Sequence, residues 1–221
     1  MTNSKINTLA ILGGTGNLGP GLALRWAHAG YKILIGSRQQ EKAQSVADEL
    51  NTILGPNSIQ GMENADAARQ ADIGILTVKA SAHHAAIESL QGTLDGKILV
   101  DTTARVDFRD PHPPDPPSAP ARAQEILGPE VRVVAAFQTI PAKVLPENLG
   151  ASLDMDVLVC ADDRQAADEV IQLVEAVGFH AYDVGNLENA ITLEGLVSLL
   201  IAANKNYQSK KGSIRLSGIS K

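Results

Sequence analysis

The chain has 221 residues, 44% of them hydrophobic and 20% charged, with a formal net charge of −6. That length holds one compact α/β unit, or one plus a small appended lobe, and the acidic balance argues against a general nucleic-acid binder, which needs a broad basic surface. No apolar run approaches the roughly 20 residues that cross a bilayer, the opening MTNSKINT lacks an apolar signal core, and the lone Cys160 permits no internal disulfide, so a cytoplasmic protein with neither membrane nor nucleic acid as partner is expected.

Leu9 to Leu12 reads as a buried strand, and Pro20 to Ala29 as a helix with Leu18, Leu22 and Trp26 along one stripe. A second strand follows at Tyr31 to Ile35. The next helix carries Ala43, Val46, Ala47, Leu50, Ile53 and Leu54 at helical period and is stopped by Gly55 and Pro56. The alternation continues with a strand at Ile73 to Val78, a helix at Ala82 to Leu90 and a strand at Lys97 to Val100. Continuous apolar strands alternating with helices imply a parallel sheet covered on both faces. Asp110 to Pro120 then holds six of the eleven prolines. It reads as an extended surface loop, or as a docking motif for a proline-reading partner. Strands at Val131 to Phe137, Asp156 to Cys160 and His180 to Val184 follow, with helices over Arg164 to Val177 and Leu187 to Asn204. The last helix is almost wholly apolar from Ile191 to Ala203, which suits a core or a dimer interface. Cys160 lies on an apolar strand and reads as a small core residue.

Ile11 to Gly21 puts five glycines into eleven residues. Gly14, Gly16 and Gly19 satisfy G-x-G-x-x-G after a strand and at the opening of a helix, where its mechanism requires it. The first glycine permits a tight turn, the second lets a pyrophosphate approach the backbone, and the third lets helix and strand pack closely. Free N–H groups at the helix start then receive the anion. After the second strand come Gly36, Ser37 and Arg38, where an NAD site usually carries a carboxylate for the ribose hydroxyls. Arg38, with Ser37 and with Lys42 one helical turn on, suits a 2′-phosphate instead, so the expected cofactor is NADP. The expected fold is a Rossmann-type doubly wound parallel sheet over residues 1–145, with a small C-terminal α/β lobe over 146–221 completing the substrate site.

No catalytic acid stands out. Tyr207 and Lys211 match the Y-x-x-x-K of short-chain dehydrogenases only by coincidence, near the C-terminus and without that family's glycine spacing, and Lys205 is followed by Gln208 where K-x-x-N would need asparagine. His83 and His84 are adjacent on a helix, so at most one points at a ligand. No carboxylate or cysteine falls at ligand spacing beside them, and no metal site is expected. His28, His112 and His180 read as surface or core-edge residues. Lys205, Lys210, Lys211, Arg215 and Lys221 leave the C-terminus basic with no acidic residue among them, a solvated tail or a landing place for an anionic ligand.

The stretch from Gly13 to Ala43 resembles the start of the NADPH-dependent coenzyme F420 reductases. Later landmarks agree in order: Thr139 to Ala142, Val159 to Asp163, Asp183 to Leu187, and Gly212 to Leu216. The resemblance implies hydride transfer between the nicotinamide and a stacked deazaflavin, with catalysis by positioning and no covalent intermediate. It assigns Gly14, Thr15, Gly16, Asn17, Leu18, Gly19, Ser37, Arg38 and Lys42 to NADP, with Val78 and Ala142 flanking it. Gln138, Thr139 and Ile140 would meet coenzyme F420, the small-molecule redox co-substrate. Departures from the family pattern fall on the acceptor side: Gln138 where a member can have histidine, and Val78-Lys79-Ala80 in place of a proline-containing turn. The alternatives are a flavin, quinone or ferric reductase using NADPH, and a non-catalytic NADP sensor resembling the NmrA-like regulators.

Overall fold

Strand residues alternate between two buried layers, which explains why the strands read as unbroken apolar runs. Leu9, Ile11, Ile33, Ile35, Ile73, Ile75, Ile98 and Val100 join one core, while Ala10, Leu12, Leu34, Leu76 and Leu99 join the other. The computed structural model describes residues 6–55 and 58–219. Pro56, Lys221 and the first five residues, on which the helix stop, part of the basic tail and the polar N-terminus were read, lie outside them.

The first half of the chain runs β1 (Thr8–Leu12), α1 (Gly19–His28), β2 (Lys32–Ser37), α2 (Gln40–Leu54), β3 (Ile59–Glu63), α3 (Asn64–Gln70), β4 (Ile73–Leu76), α4 (Ala80–Glu88) and β5 (Ile98–Asp101). It continues through α5 (Ala119–Leu127), β6 (Arg132–Ala135), a 3-10 turn at Ala142–Val144, β7 (Asp156–Ala161), α6 (Arg164–Glu175), β8 (His180–Asp183), a second 3-10 turn at Leu187–Asn189 and α7 (Ala190–Asn206). The sheet order is β3-β2-β1-β4-β5-β6-β7-β8. The first six strands are parallel, β7 pairs antiparallel with β6, and β8 is parallel to β7. Residues 146–221, expected as a lobe, thus add two strands to the sheet built by the first 145. Residues from α1, α2 and α6 enter one core, and residues from α3, α4, α5 and α7 the other.

Three elements were not foreseen. β3 carries Gly61 at its centre because a side chain there would overlap the backbone of α2 at Ala43 and Gln44, and that glycine breaks the apolar alternation. α3 spans only seven residues, too few for a periodic signal. α5 begins inside the proline-rich stretch: Ser118 caps it by accepting from the Ala121 N–H at 3.1 Å, and Pro120 sits in its first turn, where proline is favoured. The proline run therefore ends as a helix start.

Buried polar groups fasten α1 and α7 to the rest. Arg25, on α1, donates to the carbonyls of Val177 (3.0 Å) and Glu147 (2.6 Å) and lies over the Phe179 ring; burial lowers its pKa. Trp26 donates to the Leu173 carbonyl at 2.9 Å and meets Phe137 edge to face. The α7 side chain of Glu194 is fully buried and bonds Arg105 (2.9 Å) and the Ala119 N–H (2.5 Å). Glu194 is thus the buried charged exception on a helix that reads as almost wholly apolar. Length and composition alone would let Leu187–Asn206 cross a bilayer, with one third of it buried within the protein. Here its inner side packs against α5 and contributes Ala190 and Leu193 to the second core, and Leu199 on its outer side is 63% exposed. Cys160 is buried in β7, and that burial, with a smaller push from Asp183, raises its thiol to about 12.

Candidate functional site

Strand order reverses at β1, which lies between β2 and β4. In open α/β sheets ligands bind beyond the carboxyl ends of the strands at such a point. The glycine loop leaves β1 there, and each glycine has its own constraint. Gly13 adopts φ +68° and its side-chain position is filled by Val78. A Cβ on Gly14 would lie 2.6 Å from the Ile11 carbonyl oxygen, and one on Gly19 would lie 2.6 Å from the Gly14 Cα. Those two glycines let the loop fold against its own strand. Gly16 differs: nothing stands closer to its Cβ position than the Thr77 carbonyl oxygen, at 3.7 Å. No contact within the fold requires glycine at 16, and what its missing side chain leaves is clearance for a ligand.

Substitutions should separate these roles. Gly16→Ala is expected to change stability by less than about 0.5 kcal/mol while weakening nucleotide binding about tenfold. Gly19→Ala is expected to cost about 1–3 kcal/mol of stability through overpacking. Urea unfolding and calorimetric titration, run on both variants, would show the two effects on different measurements.

The loop is held in place by its neighbours. The Gly14 N–H donates to the Gly36 carbonyl at 2.9 Å, and the Gly13 N–H to Asn64 Oδ1 at 3.0 Å. Asn64 opens α3 and so belongs to an element the sequence reading missed. Leu18 precedes α1 with no side-chain cap, and the first turn carries no acidic residue, which leaves the helix start suited to an anion. Thr15 and Asn17 lie in the loop between the glycines.

At the end of β2, Ser37 is buried and its Oγ accepts from the Gln39 N–H at 3.3 Å. Arg38 and Lys42 are exposed. Among the described residues neither makes an ion pair, so both positive charges are available. Val78, two residues past β4, touches the loop at Gly13. Leu145, which ends the 3-10 turn opened by Ala142, occupies the space beside Gly21 on α1. The structure therefore brings Val78 against the glycine loop and the turn that begins at Ala142 against the helix that follows it.

Beyond β5 and β6 lies a buried polar cluster. His83 Nε2 is 2.7 Å from Asp101 Oδ2, and both side chains are almost wholly buried. Asp101 Oδ1 accepts from the Thr103 N–H at 2.9 Å, and its backbone carbonyl accepts from Gln138 Nε2 at 2.8 Å. Gln138 Oε1 and Thr103 Oγ1 are buried without a partner among the described residues. Thr139 and Ile140 are also buried, and the Thr139 carbonyl accepts from Ser213 Oγ at 3.0 Å. His83 thus faces inward and His84 outward, towards Glu88. The sequence signals for this cluster are thin: Asp101 ends an apolar strand, and while His83, Gln138, Thr139 and Ile140 stand out individually, nothing in the sequence joins them to Asp101 or Thr103.

The basic tail is partly committed. Lys211 pairs with Glu147 at 2.7 Å and Arg215 pairs with Asp154, while Lys205 and Lys210 make no ion pair among the described residues. Tyr207 is 84% exposed and Lys211 is engaged elsewhere, so the Y-x-x-x-K match has no catalytic geometry.

A family model described as NADP oxidoreductase, coenzyme F420-dependent, matches residues 8–105. The chain is 39% identical to the F420-dependent NADP reductase of Methanocaldococcus jannaschii over 96% of its own length and 98% of that protein's. It is 37% identical to the F420-dependent NADP reductase of Methanothermobacter marburgensis over 96% and 98% of the two chains. Among solved structures, a putative F420-dependent NADP reductase from Arthrobacter superposes with a TM-score of 0.80 at 24% identity, covering 96% of this chain and 99% of that one; this likeness bears on the fold. With near-complete relatives at this identity, and with a nucleotide-shaped loop at the switch of strand order, the chain belongs to the coenzyme F420-dependent NADP oxidoreductase family.

Proposed function

We propose that the protein passes a hydride between NADP(H) and coenzyme F420, with the nucleotide on the glycine loop and the deazaflavin beyond β6. The observation that carries the reading is the clearance at Gly16, together with two exposed cations, Arg38 and Lys42, that make no ion pair among the described residues. Gly14, Thr15, Gly16, Asn17, Leu18 and Gly19 form the turn that receives the pyrophosphate at the α1 start. Ser37, Arg38 and Lys42 grip the 2′-phosphate. Val78 and Ala142 flank the nicotinamide end, and Gln138, Thr139 and Ile140 face the second ring.

When bound, NADPH supplies the hydride from its nicotinamide ring. The chain's own contribution is orientation: a flat ring wedged between apolar neighbours meets its partner at reacting distance, and such alignment alone can supply several kcal/mol. Residues 1–145 hold the nucleotide, and residues 146–221 close the acceptor side through the C-terminal segment. The exposed outer side of α7, with Leu199 at its centre, supports a homodimer. Light scattering on the wild type and on Leu199→Glu would read that state, with the dimer expected only for the wild type.

The deciding experiment mixes the protein with NADPH and, separately, coenzyme F420, FMN and menadione, following the loss of reduced nicotinamide absorbance. Rapid oxidation with F420 is expected. Tight NADP binding with no turnover on any acceptor would replace the enzyme with a sensor.

A further inference from the structure

We infer that His83 and Asp101 form a buried positioning pair that sets the amide of Gln138, so that its oxygen is offered to an N–H of the ring that exchanges hydride with the nicotinamide. The inference rests on the functional reading above and specifies the chemistry of its acceptor side.

Three constraints meet at Gln138. Phe137, immediately before it, has φ +71°, a left-handed conformation that aromatic residues rarely adopt. Its ring is held edge to face by Trp26 at 5.6 Å and Phe179 at 6.1 Å. The turn thus has a fixed direction, the sort of backbone strain that concentrates at functional sites. Next, Gln138 Nε2 donates to the Asp101 carbonyl at 2.8 Å. Rotating the amide by half a turn would set its oxygen against that carbonyl oxygen, so the nitrogen stays where it is. Finally, Asp101 cannot drift. Its two carboxylate oxygens are taken by His83 Nε2 and the Thr103 N–H, and its carbonyl also receives the Ala136 N–H at 3.3 Å.

What remains is one amide oxygen with no partner among the described residues, in a wholly buried position. Nearly all buried polar atoms in folded proteins are paired, and a site that leaves an acceptor open selects a ligand able to donate to it. A deazaflavin or flavin carries an N–H between two ring carbonyls and meets that demand; a quinone carries none. The Ser213 hydroxyl bonds the carbonyl of the adjacent Thr139, so the C-terminal segment covers this corner. His83 touches no ligand in this arrangement. It acts through Asp101.

The test compares His83→Phe, which keeps a ring and loses the donor, with His83→Gln, which keeps a donor. With NADPH and F420 as substrates, His83→Phe is expected to lower kcat/KM for F420 about tenfold, one hydrogen bond's worth, and to leave KM for NADPH within about twofold. His83→Gln should recover most of the loss. Gln138→Met, which removes the oxygen and spares the pair, should reproduce the defect and serves if His83→Phe does not fold. A second readout needs no turnover: the side-chain amide resonances of Gln138, identified by their loss in Gln138→Met, should exchange slowly with solvent in the wild type and rapidly in His83→Phe. Equal losses for both substrates, His83→Gln as impaired as His83→Phe, full activity in Gln138→Met, or Gln138 resonances unchanged in His83→Phe would each overturn the pair's role. A wild type that reduces no F420 overturns the hydride reading, and the amide resonances still decide the pair.

Discussion

Arg38→Ser is expected to bring the kcat/KM values for NADPH and NADH together, erasing a preference on the order of 10² to 10⁴. The side chain stands at the end of β2, exposed and without an ion pair among the described residues. Its guanidinium can bond a phosphate through two parallel N–H donors. Ser37 accepts from the Gln39 N–H, which orients its hydroxyl and leaves its own proton free to donate. Charge-assisted hydrogen bonds contribute roughly 1.5–3 kcal/mol each, and two of them give the range stated. Lys42→Ala should have a smaller effect, because a lysine on a flexible stem acts as a point charge without the fork geometry. Initial rates with both nucleotides decide the matter. A ratio in Arg38→Ser equal to that of the wild type would place the 2′-phosphate elsewhere.

The second large effect falls on stability. Glu194→Ala should cost about 3 kcal/mol, because it leaves the Arg105 guanidinium and the Ala119 N–H without their partner. Arg105 also donates to the Asp115 carbonyl at 2.8 Å, so the loss should loosen the proline-rich loop as well. Burial raises the Glu194 pKa above 4.5, opposed by the Ala119 N–H and by Arg105. For an acid raised in the fold, the native state holds its proton more tightly than the unfolded chain. That contribution to stability is complete below pH 4.5 and is lost as pH rises through the folded value. Glu194→Gln removes the titration, so the stability of the wild type relative to Glu194→Gln should fall as pH rises from 4.5. Urea unfolding at a series of pH values reads both variants; a difference that grew with pH would mean that Arg105 outweighs burial.

Much of this architecture was legible because its signals were local. The apolar runs of β1, β2, β4 and β5 fit a parallel sheet buried on both faces, and the G-x-G-x-x-G spacing marked the turn between β1 and α1. The elements that escaped were those whose cause lies elsewhere in the chain. Gly61 is needed because α2 passes close to it, which no window around β3 reveals. Pro120 looked like an obstacle to helix, and only the cap from Ser118 turns it into a beginning. The proposed cofactor side was the easier one to read, since three glycines and an arginine at those spacings suggest that chemistry locally. On the acceptor side, His83, Asp101 and Gln138 are separated by 18 and 37 positions along the chain. Their association depends on β5 and β6 ending side by side, so nothing in the spacing announced it. Glu194 and Arg105 were hidden for the same reason, 89 residues apart.

The reversal of β7 has a further consequence for how the two sides of the proposed site are joined. Because β6 ends and β7 begins at the same edge of the sheet, the connection between them both leaves and returns there. Between those points it runs along α1, with Leu145 against Gly21, the Glu147 carbonyl on Arg25 and Gly150 beside His28, and with Val144 and Leu145 in the core. The segment that carries Gln138 is thus tied to the helix that follows the glycine loop, so a change in the length of one would be felt at the other.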